Sequence, residues 1–302
     1  MPHGGNRLLG EILALSAAMS WAFSVILFKR SERISPGGIN LYKNVVASVL
    51  LTVTLFAVGG TIDWDRSSED WWRLCVSGVL GIAIADTLFF MALRRLGAGL
   101  LAIVDCVYAP MLVIGSVLFL GEPLTMQFIV GGLLVLGGVL WATTDSKILE
   151  SIQGLSRRDL RIGSLLGVSG IAFMVAGILL VKPALPRGGL IEVSLIRLVT
   201  GVLAQLCWVA FRAEQRSDLH VLRPQPVWKT LFPAAFLGTY ISMLFWIGGF
   251  KWANASVAAV LNQMSVVFII LLARIFLNEP LTQRRMIGAL GALGGAVLVL
   301  LQ

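Results

Sequence analysis

The chain has few charged residues for its length. Only 13% of its 302 residues are Asp, Glu, Lys or Arg, whereas a soluble domain carries about 25%. Apolar residues make up 57%, and the mean hydropathy is +0.88. A protein with so apolar a surface would not be soluble in water, so the composition predicts that the chain lies in a lipid bilayer. The formal charge of +8 does not indicate a nucleic-acid partner, because the basic residues lie mostly at the ends of apolar runs, where they anchor helices to headgroups.

The sequence also lacks the motifs of several enzyme classes. Its 2 histidines, His3 and His220, lie outside the apolar runs, which excludes most intramembrane metalloprotease and haem sites. It has no phosphate-binding Gly-x-x-x-x-Gly-Lys-Ser/Thr loop and no Gly-x-Ser-x-Gly nucleophile elbow. Its 3 cysteines, Cys75, Cys106 and Cys207, lie inside apolar runs without a metal-binding spacing, so we interpret them as buried thiols. We therefore expect no enzyme activity, no metal and no cofactor.

One segment of the chain occurs twice. The stretch LFLGEPLT at 118–125 returns as IFLNEPLT at 275–282, and this offset of 157 residues holds without a gap between 81–138 and 238–295. The repetition indicates that one module of about 150 residues was duplicated.

Ten apolar runs are long enough to cross a membrane, which takes roughly 20 residues. They lie near 8–28, 39–59, 73–93, 97–120, 126–144, 162–181, 190–211, 230–250, 254–277 and 286–301. The hydrophilic stretch 145–161 separates five runs from five, so we predict repeats over 1–148 and 149–302. A module with an odd number of helices must enter its second copy from the opposite side of the membrane. The predicted fold is therefore an all-α membrane protein of ten transmembrane helices in two inverted five-helix repeats, as in many secondary transporters.

The distribution of Lys and Arg predicts the orientation. Apart from Lys43, Arg197 and Arg274, which lie inside runs, the odd-numbered loops carry 15 of these residues, and the termini and even-numbered loops carry 6. The positive-inside rule places the richer side in the cytoplasm. We expect a multi-pass protein of the cell inner membrane with both termini outside the cytoplasm.

The repeated Glu-Pro-Leu-Thr segments have the residues of a turn. Proline forces the preceding residue, Glu122 or Glu279, out of the helical region, and Thr125 can cap the next helix. We favour this structural interpretation over a gate or an ion site at the glutamates. The glycine-rich fifth and tenth runs have spacings that let helix backbones touch, so we expect them to brace the bundle by close packing.

Two carboxylates stand inside apolar runs, Asp86 in the third and Asp105 in the fourth. Each costs roughly 2.5–3.5 kcal/mol near the bilayer centre. Their repeat equivalents are Met243 and Asn262, so the second copy keeps polarity at only one position. Because burial favours the protonated form, either aspartate is a candidate for a coupling proton or for binding an amine. The alternatives are a neutral, hydrogen-bonded Asp and a structural ion pair.

Polar residues surround Asp105 and its equivalent. Tyr108 follows it, and Pro110 must bend or break the helix in mid-span, which is tolerated best where the break lines a cavity. The matching turn of the ninth run carries Asn262 and Ser265. We predict that the two clusters face each other across a pseudo-two-fold axis, although interhelical hydrogen bonding alone would also account for them.

Lys43 and Arg197 are repeat-related cations, each about one turn inside its helix. One interpretation is that they snorkel to the headgroups; the other is that they attract an anionic group, one near each mouth. In the first run, serines at i, i+4 and i+8 from Ser16 form a polar stripe with Trp21 beside it. Such a stripe either lines a pore or allows close packing.

These residues resemble a known family. The opening Trp21…Lys29, and the block that runs from Gly97 through Pro110 and Glu122-Pro-Leu-Thr to Gly138, are similar to motifs of the EamA family of the drug/metabolite transporter superfamily. The resemblance covers nearly the whole chain and implies a ten-helix carrier of two inverted five-helix repeats, many of which export amino acids and other metabolites from bacteria. The chain departs from the pattern at Lys43, where members often have Arg, and at Asp86, where many lack an acid.

The predicted function is a secondary transporter, most simply an exporter of a small zwitterion such as an amino acid. The first, third, fourth, sixth, eighth and ninth helices would form a central cavity. Asp86 and Asp105 would bind an amine or a proton, and Lys43 and Arg197 a carboxylate. The remaining predicted substrate-binding residues are Trp21, Tyr108, Asn262 and Ser265. The alternative cargo is a lipophilic cation, a drug or a lipid-linked compound, and a scaffold or membrane enzyme is a third hypothesis. We expect a monomer or a homodimer.

Overall fold

The structure is a computed structural model that describes residues 4–28, 34–143, 155–211, 213–276 and 282–301. Every regular element within these residues is a helix. The α-helices are α1 (Gly4–Phe28), α2 (Pro36–Ala57), α3 (Ser68–Gly78), α4 (Asp86–Asp105), α5 (Tyr108–Leu120), α6 (Met126–Thr143), α7 (Arg157–Val181), α8 (Leu190–Phe211), α9 (Trp228–Ala235), α10 (Ser242–Trp252), α11 (Ala255–Asn262), α12 (Met264–Phe276) and α13 (Gln283–Leu300). Two 3-10 helices cover Lys182–Arg187 and Ala213–Leu222.

Seven of the described helical segments are long and apolar enough to cross a membrane. They are Asn6–Phe28, Pro36–Ala57, Ser68–Leu96, Arg157–Arg187, Leu190–Phe211, Trp228–Trp252 and Ala255–Phe276. Three shorter apolar helices are Tyr108–Leu120, Met126–Ala142 and Met286–Leu300. Large apolar side chains such as Phe56, Phe119 and Phe211 stay exposed on the outside, where lipid would cover them. The prediction of an all-helical membrane protein is confirmed.

Serine side chains begin three of the helices. Ser35, Ser67 and Ser156 each precede a helix, and each hydroxyl accepts a hydrogen bond from an amide of the first turn, 3.0–3.2 Å away. Such a cap satisfies an amide that has no partner within the helix. At the C-terminal end of α5, Gly121 takes a left-handed conformation with φ of 65°. Glycine adopts this conformation without steric cost, and it ends the helix.

The chain reverses within the segment assigned to α4. A Cβ at Gly167 of α7 would lie 3.7 Å from the Ala92 side chain and 2.8 Å from that of Val104. Twelve residues of straight helix would separate these two positions by about 18 Å. The backbone therefore doubles back between them, as expected from the separate third and fourth apolar runs.

The first helix of each repeat packs on the third and fourth helices of the other repeat. The long helix α1 lies along α9, α10, α11 and α12, and α7 lies along α3, α4 and α5. The contacts are equivalent in the two halves: Gly10 lies against Ala253 as Gly163 lies against Leu96, and Ala14 lies against Gly249 as Gly167 lies against Ala92. The duplication visible in the sequence is therefore also an internal pseudo-symmetry of the fold.

The fifth and tenth apolar runs, α6 and α13, pack backbone to backbone. A Cβ at Gly131 would lie 2.8 Å from the carbonyl oxygen of Gly295, and one at Gly138 would lie 2.5 Å from that of Gly288. From Gly131 to Gly138 the residue number increases along α6, while the number of the contacted residue in α13 decreases from 295 to 288. The two helices are therefore antiparallel. The predicted close packing of these glycine-rich helices is confirmed.

Both repeats contain a π-helical turn at the same position. Val79–Ala85 joins α3 to α4, and Phe236–Ile241 joins α9 to α10, at the repeat offset of 157 residues. A π-turn holds an extra residue and often marks a functional position. The first of them places Asp86 at the start of α4.

The loop that follows α5 ties the two repeats together. The carboxylate of Glu122 accepts hydrogen bonds from the amides of Ala255 and Ser256, at 2.6 and 3.0 Å, at the start of α11. Thr125 caps α6 by accepting a bond from the amide of Phe128 at 3.0 Å. The favoured structural interpretation of Glu122 therefore agrees with its contacts, and Glu279 lies outside the described residues.

The three cysteines lie in three different environments and form no disulfide within the described residues. Cys106 is buried and Cys75 is partly buried, but Cys207 is exposed. The expectation that all three are buried was wrong for Cys207, which lies on the outer side of α8. An apolar run does not tell the side that faces lipid from the side that faces the protein interior.

Candidate functional site

Two helix breaks meet in the middle of the molecule. The helix α4 ends at Asp105 and α5 resumes at Tyr108, and α11 ends at Asn262 one residue before α12. The Gln263 side chain donates a hydrogen bond of 2.9 Å to the Asp105 carbonyl oxygen. Gln263 thus satisfies a carbonyl that the break leaves without a helical partner. As predicted, the two polar clusters lie together.

The carboxylate of Asp105 is available at this junction. The side chain is only partly buried, and no hydrogen bond or ion pair to it occurs among the described residues. Near the middle of an apolar bundle, an ionised carboxylate without a partner is costly. A carboxylate in this position can accept a proton or a cationic group.

Tyr108 and Asn262 lie beside this carboxylate with unused hydrogen-bonding capacity. The Tyr108 hydroxyl lies beside Asn262 and Trp246 and near the charge of Asp105, but it forms no hydrogen bond of good geometry within the described part of the chain. The Nδ2 atom of Asn262 is likewise buried and unpartnered there. Buried polar groups normally find partners, so this cluster is suited to a polar ligand.

Arg197 is buried in the same region and is not neutralised by a direct contact. It is 1% exposed, its guanidinium carbon lies 5.4 Å from the centre of the Trp246 ring, and both Tyr108 and Asp86 act on it electrostatically. Its Nε and Nη1 atoms have no hydrogen-bond partner among the described residues. Snorkelling to the headgroups is therefore excluded for Arg197, and two of its donors are free for an anion.

The other cation, Lys43, already has a partner. Its Nζ atom lies 2.7 Å from Oδ2 of Asp86 and donates a second bond of 3.0 Å to Oδ1 of Asn44. Lys43 is 3% exposed and lies 5.9 Å from the centre of the Phe90 ring. Snorkelling is excluded here too. Lys43 and Asp86 bind each other, which is the structural ion pair named above as an alternative for Asp86. Their contacts with a substrate stay predictions.

A buried amide network that the sequence did not reveal positions this ion pair. Asn40 donates to the Ile82 carbonyl in the first π-turn at 3.0 Å and to the Thr87 hydroxyl at 3.1 Å. Its own oxygen accepts a bond of 2.9 Å from Asn44, which also approaches Gln205 of α8 at 3.4 Å. A helical sequence pattern gives no indication that a π-turn will leave Ile82 with a carbonyl to satisfy.

The remaining predicted residues lie at different distances from the junction. Trp21 of α1 packs edge-to-face against Phe89 with ring centres 6.3 Å apart. Ser265 is 8% exposed near the start of α12, and within the described residues no hydrogen bond joins it to Arg197 or Asp105. The structure therefore brings Asp105 and Arg197 each within electrostatic reach of Tyr108, beside Asn262 and Trp246.

A polar cavity of about 410 Å³ lies away from this cluster, at the edge of the bundle on the side of the termini. It is lined by Asp63, Arg66, Ser67, Glu69, Asp70 and Arg187. Arg66 pairs with Glu192 at 2.7 Å, and both Asp70 carboxylate oxygens accept bonds from Arg187. Its arginines already have carboxylate partners, so the central cluster is the better candidate site.

Apolar helices around a buried, incompletely paired set of charges define a multi-pass membrane protein with an internal polar site. The chain belongs to the EamA-like transporter family, which matches residues 8–144 and 161–301, once in each half. The family consists of transporters of the drug/metabolite type rather than enzymes. The resemblance noted in the sequence is thereby confirmed, and the chain is a membrane transporter.

One solved crystal structure shows the same fold. It superposes with a TM-score of 0.78 over 97% of this chain and 96% of its own chain, at 17% sequence identity. Likeness at this identity supports the architecture and carries no information on substrate. No curated protein matches the chain.

Proposed function

We propose that the chain is a secondary transporter of the cell inner membrane that exports a small zwitterion such as an amino acid. In this proposal its ten transmembrane helices form two inverted five-helix repeats, 1–148 and 149–302, and both termini lie outside the cytoplasm. The antiparallel packing of α6 against α13 supports the inversion. The equivalent contacts of α1 and α7 support a cavity between the two repeats, which a rocking motion would open to either side. We expect a monomer or a homodimer.

The observation that carries the proposal is that a cation and a carboxylate, each with unused hydrogen-bonding groups, both lie near Tyr108. Arg197 has two donor nitrogens without a partner, and the Asp105 carboxylate has no bond among the described residues. A zwitterion supplies a carboxylate for the first and an ammonium group for the second. It thereby satisfies both without bringing net charge into the membrane interior, where charge is costly.

The neighbouring residues receive matching roles. The Tyr108 hydroxyl and the Asn262 amide would bond to the substrate's polar atoms, Trp246 would hold the guanidinium of Arg197 in place, and Trp21 would contribute an apolar wall with Phe89. Both Asp86 and Asp105 are candidates for a coupling proton. Asp105 is favoured because no cation among the described residues pairs with it.

Flux of radiolabelled amino acids in proteoliposomes tests the proposal. Removing one partner of a buried charged contact costs about 2–5 kcal/mol, so Arg197→Gln and Asp105→Asn should each reduce substrate affinity by about 30-fold or more. Arg95→Gln is the matched control, because Arg95 pairs with Asp159 on the exposed surface at 2.9 Å, and it should transport like the wild type. Wild-type flux from both site variants would overturn the assignment.

A lipophilic cation remains the second candidate cargo, and the same variants distinguish it. The observation in its favour is the aromatic wall of Trp21 and Phe89 in a bundle that holds an unpaired carboxylate. Such a cation needs Asp105 but not Arg197. Transport of tetraphenylphosphonium that is lost in Asp105→Asn and unchanged in Arg197→Gln would establish this candidate in place of the zwitterion.

A further inference from the structure

We infer that Asp86 determines the charge selectivity of the site by neutralising Lys43, so that a single cation, Arg197, is left for the substrate. The inference rests on the proposed function and gives its binding site a charge preference. In this view Asp86 and Lys43 determine which substrates bind and do not themselves bond to the substrate.

The first step is that Lys43 is buried and already neutralised by a carboxylate. Its ammonium group bonds to Asp86 at 2.7 Å and to Asn44 at 3.0 Å, and it lies against the face of Phe90. Its side chain is 4% exposed, whereas that of Asp86 is 20% exposed. A substrate that reaches the pair therefore meets the carboxylate rather than the ammonium group.

The second step is that the protein holds Asp86 in place with dedicated contacts. Asn40 bonds to the Ile82 carbonyl, four residues before Asp86, and to the hydroxyl of Thr87, immediately after it. The same Asn40 is bonded to Asn44, which accepts from Lys43. Both members of the ion pair are thus fixed by one amide network, and Asn40 and Asn44 act as positioning residues.

The third step is an asymmetry between the repeats. Arg197 is the equivalent of Lys43, and the equivalent of Asp86 is Met243, which cannot neutralise a cation. One repeat therefore pairs its cation with a carboxylate, and the other leaves two guanidinium nitrogens without a bond to any described residue. Asp86 acts on Arg197 only through its charge. Without Asp86 the site would hold two cations that no described carboxylate contacts, and it would favour a substrate with an additional negative charge.

The test compares two ligands that differ by one carboxylate, L-alanine and L-aspartate, in competition binding to the purified full-length protein. The wild type should prefer alanine. Asp86→Asn keeps the shape and frees Lys43, so the ratio of aspartate to alanine affinity should rise at least about tenfold. The double variant Lys43→Met/Asp86→Leu removes both charges, and its ratio should return to that of the wild type. An unchanged ratio in Asp86→Asn would overturn the inference.

Thermal unfolding of the same variants provides a readout that needs no substrate. Asp86→Asn leaves Lys43 buried without its counter-ion, so it should unfold at a lower temperature than the wild type, and the double variant should recover most of that loss. If the wild type binds neither amino acid, the proposed function fails, and this comparison still decides whether Asp86 neutralises Lys43. A double variant no more stable than Asp86→Asn would refute the neutralisation.

Discussion

The close contact between α6 and α13 makes a sharp prediction about two adjacent glycines. Gly138 faces α13, where a Cβ would lie 2.5 Å from the Gly288 carbonyl oxygen and 2.6 Å from the Ala292 amide nitrogen. Gly137 is the next residue on the same helix, and a Cβ there would meet nothing within 4 Å. Alanine adds only a Cβ, so Gly138→Ala and Gly137→Ala differ in this contact and in little else.

The expected difference follows from two opposing effects. Replacing glycine with alanine inside a helix stabilises it by about 0.8–1 kcal/mol, and this gain applies to both variants. At Gly138 the added carbon meets backbone atoms that cannot rotate away, so the helices must move apart, and overpacking of this kind costs about 1–3 kcal/mol. We therefore expect Gly137→Ala to be as stable as the wild type or slightly more stable. Gly138→Ala should be about 1–3 kcal/mol less stable than Gly137→Ala.

Equilibrium unfolding of the two variants in the same detergent measures this difference. Gly288→Ala serves as the symmetric partner, because its Cβ would lie within 3 Å of backbone and side-chain atoms of α6, and it should behave like Gly138→Ala. If Gly138→Ala proves as stable as Gly137→Ala, the backbones do not touch, and the bracing role of these helices is refuted.

Two further predictions concern carboxylates that tie the repeats together. Glu122→Ala should destabilise the protein by about 1.5–3 kcal/mol, because it removes a charged acceptor from the first amides of α11; denaturant unfolding would detect the loss, and unchanged stability would contradict the capping role. Glu192→Leu should cost about 3–5 kcal/mol, since it leaves Arg66 buried and unpaired. Its control Glu69→Gln removes an exposed i,i+4 partner of Arg73 and should change stability by less than about 1 kcal/mol. If Glu192→Leu and Glu69→Gln lose the same amount of stability on denaturant unfolding, Arg66 must find another partner in the Glu192→Leu variant.

The parts of the fold that the sequence predicted are those with a local cause. Apolar runs of sufficient length gave the helices, and the 157-residue offset paired Asp105 with Asn262 and the glycines of α6 with those of α13. Pro110 indicated the break between α4 and α5, because proline removes a helical hydrogen bond wherever it stands. These predictions required no knowledge of which helices are neighbours.

The pairing of Lys43 with Asp86 shows what a single sequence could not provide. Each residue was recognised as an intramembrane charge, but their separation along the chain gives no distance in space. The packing of α1 and α7 on the opposite repeat was also not predictable, because apolar helices of similar composition do not indicate which of their neighbours they pack against. Asn40 was missed because its function depends on a π-turn, for which the sequence carries no distinct pattern.

The exchange of first helices between the repeats has a consequence for biosynthesis. The partners of α1, such as Gly249 opposite Ala14, are synthesised more than 200 residues later. At ribosomal rates of roughly 5–20 residues per second, α1 spends about 10–40 s in the bilayer before α10 emerges. During that interval the packing surface of α1, including the hydroxyl of Ser24 that later bonds to the Ala234 carbonyl, must be covered by lipid or by an insertion chaperone. Truncated nascent chains should therefore be the species that such a chaperone retains, and release should coincide with the arrival of α10.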